Sequence, residues 1–493
     1  MRRSMQARVA WVPLLILLLL SGWRDAALLM RSPVAAGIDG YYYVLQIDAL
    51  KNNHRLYFPT RTPLVLYYLA VIGYFTKDSV AAVKVGSVSL HFLLCLGIFA
   101  LIASSTGNVW VGALAGALAG VLGLHLYMIA EFINVLGALT FLVWAGWFAV
   151  RWAQTRRPTW IGLGVLLLAA AVFSHQVAVA VLLIVAISLF LFLGLVSSRS
   201  QGRFSLAALI AAVTIYFAPA IAKAQAVVDI PDRLRTELTA IPHWPINYNY
   251  LPETLMLAVL APLALLLLLG PMRLRARSVG GTIVGLVAIW SLLATLNPFL
   301  NETNGWMGIV GRIRGLAYIQ VALILPGMIW LVHSGWPKAM FYVLAVLPAF
   351  AILSASSPLP FGLRSEYLVR RERLAQQLPH FSNQVGDDSL IIASHGDQFL
   401  VTAILGIASQ QLAPESNSHP TVYWLLETPN RETPMIESVV VAEHQTSRTI
   451  LVADGALRLY LLSATDVEKR TLVSFNRQLM MAYNRGGPGN PFG

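Results

Sequence analysis

The run LLLAAAVFSHQVAVAVLLIVAISLFLFLGLV, residues 166–196, holds no Asp, Glu, Lys or Arg. An apolar stretch of more than about 18 residues is too long for a buried helix of a soluble domain and fits a bilayer span. WVPLLILLLLSGW, residues 11–23, is of the same kind. Composition agrees: 12% of the 493 residues are charged and the mean hydropathy is +0.67, where a soluble domain carries about 25% charge. These features predict a polytopic, all-α membrane protein. The formal charge of +12 falls mostly in short loops between apolar segments, so it reads as a topology signal and excludes a nucleic-acid surface. Cys95, the single cysteine, lies inside an apolar run, which rules out a disulfide framework and a thiolate metal site. MRRSMQAR before the first apolar stretch resembles a signal peptide, but no small-residue cleavage site follows, so a retained first span is expected.

At about 20 residues per span, spans are expected near 9–29, 80–103, 109–129, 132–150, 158–174, 177–196, 204–221, 253–270, 279–296, 314–332 and 337–355. TPLVLYYLAVIGYF, residues 62–75, is short, opens at Pro63 and carries three tyrosines. If it does not cross, SSTGN, RWAQTRRP, SSRSQGRF, PMRLRARS and HSGWPK all face the cytoplasm, as the positive-inside rule requires. If it crosses, the two most basic loops move outside. It is therefore expected to lie along the outer leaflet with its tyrosines at headgroup depth, leaving about eleven spans, the N-terminus inside and the C-terminus outside. The expected division is a membrane part, 1–355, and a small soluble α/β domain, 356–493. In the latter, SEYLVRRERLAQQL reads as an amphipathic helix, and DSLIIAS, PTVYWLL, SVVVAE and RTILVAD read as strands. GDQFLVTAILGIASQQL reads as a helix between the first two strands, and the final NRGGPGNPFG as a loose tail.

This topology gathers ionisable residues on the outer side: Asp39, Asp48, Glu131, His175, Arg233, Arg235, His243, Glu302, Arg312 and Arg314, with Tyr248 and Tyr250. Such residues at membrane depth are costly and are functional or paired. Each has a simpler role to set against a catalytic one. Asp39, in GIDG, suits a helix N-cap; Asp48 suits a solvated face. Glu131 sits between two apolar spans, where an ion pair and a catalytic role are both open. His175 suits a hydrogen-bonded interfacial histidine, Arg312 and Arg314 a helix anchor at phosphate depth, and the tyrosines an aromatic belt. No metal-ligand spacing stands in the sequence. SHGDQF, starting a soluble helix, reads as a cap. Phosphate loops and nucleophile elbows are absent from the sequence as well.

An acid just after the first span, a short helix opening with tyrosines, and then FPTRTPLVLYYLAVIGYF together resemble the GT-C glycosyltransferases, closest to the aminoarabinose and protein-mannosyl transferase branch. The resemblance covers about the first 180 residues. It implies a lipid-phosphate-linked sugar donor, two juxtamembrane helices in the first outer loop, a second acid at the outer start of the fourth span (Glu131), and a late basic lipid-phosphate contact (Arg312 or Arg314). The chain departs from the family where Gly40 follows Asp39 in place of a second acid, and where Arg61 and His175 stand near positions often held by Lys.

On this reading Asp39 is the general base for an acceptor hydroxyl that displaces polyprenyl phosphate with inversion. Arg312, Arg314, Arg61 and Arg235 supply the positive charge that the departing phosphate needs. Glu131 binds sugar, acceptor or Arg61, and Tyr42, Tyr43, His175 and Tyr248 contact substrate. A single carboxylate flanked by arginines favours a metal-free reaction over one assisted by magnesium or manganese. The expected partners are the polyprenyl-phosphate sugar, a glycan, lipid or protein acceptor, and membrane lipids, without nucleic acid. Basic cytoplasmic loops and a cysteine-free outer domain fit a bacterial inner membrane with that domain in the periplasm. The competing classes are a lipid-linked glycan polymerase or ligase, a transporter or flippase, and a structural subunit. Crowding of charge at one face, with no symmetry between halves, disfavours transport.

Overall fold

The computed structural model describes residues 16, 18–121, 124–175, 361–383, 385–393, 396–410, 421–427, 450–454 and 457–463. The expected spans from 177 to 355, the strand SVVVAE and the tail lie outside the described residues.

Two compact units share the chain. One comprises Met1–Ala27, Thr60–Val65 and Gly86–Pro358; the other comprises Leu28–Pro59, Leu66–Val85 and Leu359–Gly493. Leu28–Pro59 and Leu66–Val85 thus belong to the same unit as the C-terminal segment.

Helix α1 (18–30) is followed by α2 (Gly40–Asn53), α3 (Leu64–Thr76), α4 (Ser79–Thr106), α5 (Val109–Val121), α6 (Leu124–Ala130), α7 (Ile133–Thr155) and α8 (Pro158–Ser174). Among the described residues, α4 and α7 are long and apolar enough to cross a membrane. The 13 residues of α3 extend about 20 Å at 1.5 Å per residue, short of a hydrocarbon core of about 30 Å. The sequence gives α7 and α8 a clear boundary. Arg156 turns left-handed at φ 55° and its N–H reaches the Trp152 carbonyl at 2.7 Å, ending α7. Pro158 then opens α8, where its missing N–H costs nothing. The expected third span, 109–129, is described as two helices, α5 and α6.

In the first unit α7 is stitched to α4 by side chains that satisfy their polar groups on the neighbouring backbone. Thr140 Oγ1 donates to the Leu90 carbonyl at 3.2 Å, Trp144 Nε1 to Leu93 at 3.0 Å and Gln154 Nε2 to Ser104 at 2.8 Å. Bonds of this kind suit an apolar surround that offers no water to compete. The α4–α5 crossing depends on Gly112: a Cβ there would lie 2.8 Å from Ala103 Cβ and the Phe99 carbonyl. Gly112→Val is expected to cost about 1–3 kcal/mol by overpacking. An unchanged unfolding midpoint in detergent would contradict this.

In the second unit α3 packs on α2 where Gly73 faces Ile47, a Cβ at 73 falling 3.0 Å from Ile47 Cγ2. Gln46 closes the loop after α2, its Nε2 donating to the Phe58 carbonyl at 2.9 Å and its Oε1 accepting from the Phe58 N–H at 3.3 Å. Asp48, expected on a solvated face, is half-buried and accepts from Ser79 Oγ. The cause is the return of the chain at the start of α4, which covers that side of α2.

The C-terminal segment begins with a 3-10 turn (Phe361–Leu363) and α9 (Ser365–Gln377), the expected amphipathic helix. A five-stranded sheet of order β2-β1-β3-β5-β4 follows, built from β1 (Leu390–Ile392), β2 (Ala408–Gln410), β3 (Val422–Glu427), β4 (Ile450–Asp454) and β5 (Leu457–Ser463). β1 runs parallel to β2 and β3; β5 is antiparallel to β3 and β4. All three residues of β1 are buried, as in a parallel strand covered on both faces. The helix expected over 396–412 ends early: α10 (Asp397–Leu405) stops at Gly406, which is left-handed at φ 70°, and the chain enters β2. Parallel pairing of β1 with β2 needs such a helical crossover.

Candidate active site: the loop that carries Asp39

The GIDG turn is shaped by its two glycines. Gly37 has φ 82°, a region that favours glycine. Gly40 starts α2 so close to residue 35 that a Cβ would lie 3.0 Å from Ala35 Cβ and 3.1 Å from its carbonyl carbon. Asp39 occupies the N-cap between them. Its carbonyl accepts from the Tyr42 N–H at 3.0 Å and the Tyr43 N–H at 3.4 Å. Its side chain makes no capping hydrogen bond to α2, which sets aside the capping role weighed above. The residue is half-buried, while Ile38 and Gly40 on either side are buried.

Tyr42, half-buried, sits one turn into the helix in an aromatic cluster. Its ring stacks on Phe58 at 5.8 Å and meets Phe399 edge-on at 5.5 Å and Tyr43 at 5.4 Å. Burial pushes the Tyr42 phenol above its usual pKa, a hydrogen bond with Gln46 opposes this, and the nearby Asp39 carboxylate pushes it further up. Tyr42 therefore stays neutral at physiological pH. Tyr43 is buried.

The structure thus brings Asp39, Tyr42 and Tyr43 together within the second unit. Arg61, Glu131 and His175 belong to the first. Arg61 is exposed. Glu131 is buried in the turn between α6 and α7, its N–H bonded to the Tyr127 carbonyl at 2.8 Å. His175 is buried and closes α8, its N–H donating to the Ala171 carbonyl at 3.1 Å. Arg235, Tyr248, Arg312 and Arg314 lie outside the described residues.

Two features escaped the sequence reading. One is a buried triad in the first unit: His91 Nδ1 lies 2.8 Å from one oxygen of Asp25, and His125 Nε2 lies 3.1 Å from the other. The imidazole rings stack at 4.7 Å, and His91 Nε2 faces the Ala119 carbonyl at 3.4 Å and Cys95 Sγ at 3.6 Å. The three ligand atoms lie within 4.8 Å of one another, close enough to hold a metal ion. Each imidazole nitrogen instead faces its own carboxylate oxygen at hydrogen-bond length, so the carboxylate bridges the edges of the two stacked rings. The available signal was an ionisable residue in each of three apolar runs. The second feature is Arg371 on α9, wholly buried. Its signal was an arginine on the apolar stripe formed by Tyr367, Leu368, Leu374 and Leu378.

No protein-family model matches the chain, and no curated protein does. Among solved structures, the crystal structure of ArnT from Cupriavidus metallidurans in the apo state is similar at TM-score 0.48 and 11% identity, over 94% of this chain and 100% of that one. A likeness this loose transfers neither a site nor an activity.

Proposed function

We propose that the chain is a GT-C-type membrane glycosyltransferase that moves a sugar from a polyprenyl-phosphate donor to an acceptor hydroxyl, with Asp39 as general base. The observation that carries the proposal is the state of Asp39. It is a half-buried acid at a helix start, set between two glycines, whose carboxylate makes no capping hydrogen bond to α2. The GT-C-like pattern of the first 180 residues supplies the class of reaction.

The acceptor oxygen forms a bond to the anomeric carbon as its proton passes to Asp39. The bond from that carbon to the phosphate oxygen breaks, its electron pair leaves with the polyprenyl phosphate, and the configuration inverts. A phosphate leaving group needs no acid, only cations placed where its charge develops. Arg312 and Arg314 take that role, with Arg61 and Arg235 in support. Glu131 binds sugar or acceptor hydroxyls, and Tyr42, Tyr43, His175 and Tyr248 line the substrate. The reaction proceeds at the outer face of a bacterial inner membrane, with residues 1–355 as the membrane part and 356–493 in the periplasm.

Purified protein incubated with a panel of polyprenyl-phosphate hexoses, pentoses and aminopentoses should release polyprenyl phosphate when an acceptor is supplied. Absence of release across the panel, with folded protein and a crude membrane acceptor fraction, would remove the assignment. Arg312→Ala and Arg314→Ala should each weaken donor binding about tenfold or more, the worth of a charged hydrogen bond. Unchanged donor affinity in both would move the phosphate site elsewhere.

A further inference from the structure

We infer that Arg371 is a positioning residue for the proposed base: it fixes the two peptide units that precede Asp39, so the C-terminal segment completes the active site. The inference rests on the reading of Asp39 as the base.

Arg371 is 0% exposed and its charge is met by backbone oxygens. Nη1 donates to the Gly37 carbonyl at 2.8 Å, and Nη2 donates to Ile38 at 3.3 Å and Gly396 at 2.6 Å. A planar fork that grips successive carbonyls fixes orientation as well as distance, which a lysine ammonium does not. Tyr41 and Tyr367 flank the guanidinium at 5.5 and 5.2 Å from their ring centres. Asp397 Oδ1 lies 3.6 Å from its Nε, and the other oxygen of Asp397 takes the Nη2 of Arg370 at 2.5 Å. Residues 37 and 38 are held from two further sides. The Gly37 N–H donates to the Gly362 carbonyl at 3.1 Å. Gly396, at φ 87°, presses so close that a Cβ would lie 2.7 Å from Ile38 Cγ2 and from the Ile38 carbonyl.

Three points of the C-terminal segment therefore converge on residues 37 and 38, and the next residue is Asp39. What that convergence sets is the direction of the Cα–Cβ bond from which the carboxylate hangs. A base misplaced by about 1 Å can lose about 100-fold in rate.

The test uses the full chain in detergent, single-turnover release of polyprenyl phosphate, and hydrogen exchange. Arg371→Ala is expected to lower the rate about 10- to 100-fold with donor KM within about threefold. Exchange at the Gly40, Tyr42 and Tyr43 amides should rise while β1 stays protected. In the Asp39→Asn background, Arg371→Ala should add no further loss, because the group it positions is gone. Should Arg371→Ala fail to fold, Arg371→Lys keeps the charge and loses the fork, and Gly396→Ala disturbs the Ile38 peptide from the opposite side. Both should reproduce the rate loss. A wild-type rate in Arg371→Lys and Gly396→Ala, or an equal further loss in the double variant, overturns the role of Arg371 alone. Full activity of Asp39→Asn overturns the base assignment, whatever the Arg371 variants do.

Discussion

Asp39→Asn should slow the chemical step by about 10²–10⁴-fold, the usual worth of a positioned general base. The amide is nearly isosteric and cannot take the acceptor's proton. The N-cap it occupies is held by backbone bonds from the Asp39 carbonyl to the Tyr42 and Tyr43 N–H groups, with no side-chain cap to lose. The start of α2 should therefore persist and the unfolding midpoint should move little. Donor affinity should also persist, because the cations proposed for the phosphate lie elsewhere in the chain. The signature is a fall in kcat with donor KM held, the mark of an interaction made in the transition state. A variant that lost donor binding instead would make Asp39 a ligand for substrate. One that kept its full rate would remove Asp39 as the base.

The second large effect is on stability. Asp25 is fully buried, and it accepts from two imidazoles on other helices. Asp25→Ala strands both rings in an apolar interior, where removal of one partner from a buried charged network costs about 3–5 kcal/mol. Asp25→Asn keeps one good acceptor and turns an N–H₂ toward the other ring, so about 1–3 kcal/mol is expected. The order Ala worse than Asn, read from unfolding midpoints in one detergent, checks the network. Losses from Asp25→Ala and His91→Ala should also be less than additive in the double variant, because the two groups share one interaction. A midpoint for Asp25→Ala equal to wild type would mean that the triad contributes nothing to the fold.

The legible part of the molecule was local. The helices over 79–106, 133–155 and 158–174 could be read from long, mostly apolar runs, and the α7–α8 boundary from RWAQTRRP. The amphipathic helix after residue 364 and three of the described strands were equally plain. Asp39, Tyr42 and Tyr43 are neighbours in the chain, so their proximity was legible too. Asp48 was misread because its partner, Ser79, approaches from 31 residues away. The early end of α10 was missed because IASQQL continues a helical pattern, although Gly406 and the parallel partner β1 draw it into the sheet.

Membrane character and helical segments follow from the sequence by itself, since a long apolar run closes its own backbone hydrogen bonds within a few residues. Tertiary structure alone decided that Asp25 bridges two stacked histidines, and that Arg371 reaches the Ile38 carbonyl across 333 residues. The physical reason is that Arg371 binds carbonyl oxygens. Every residue carries one, so no side chain in GIDG could announce that an arginine near the far end of the chain would hold it.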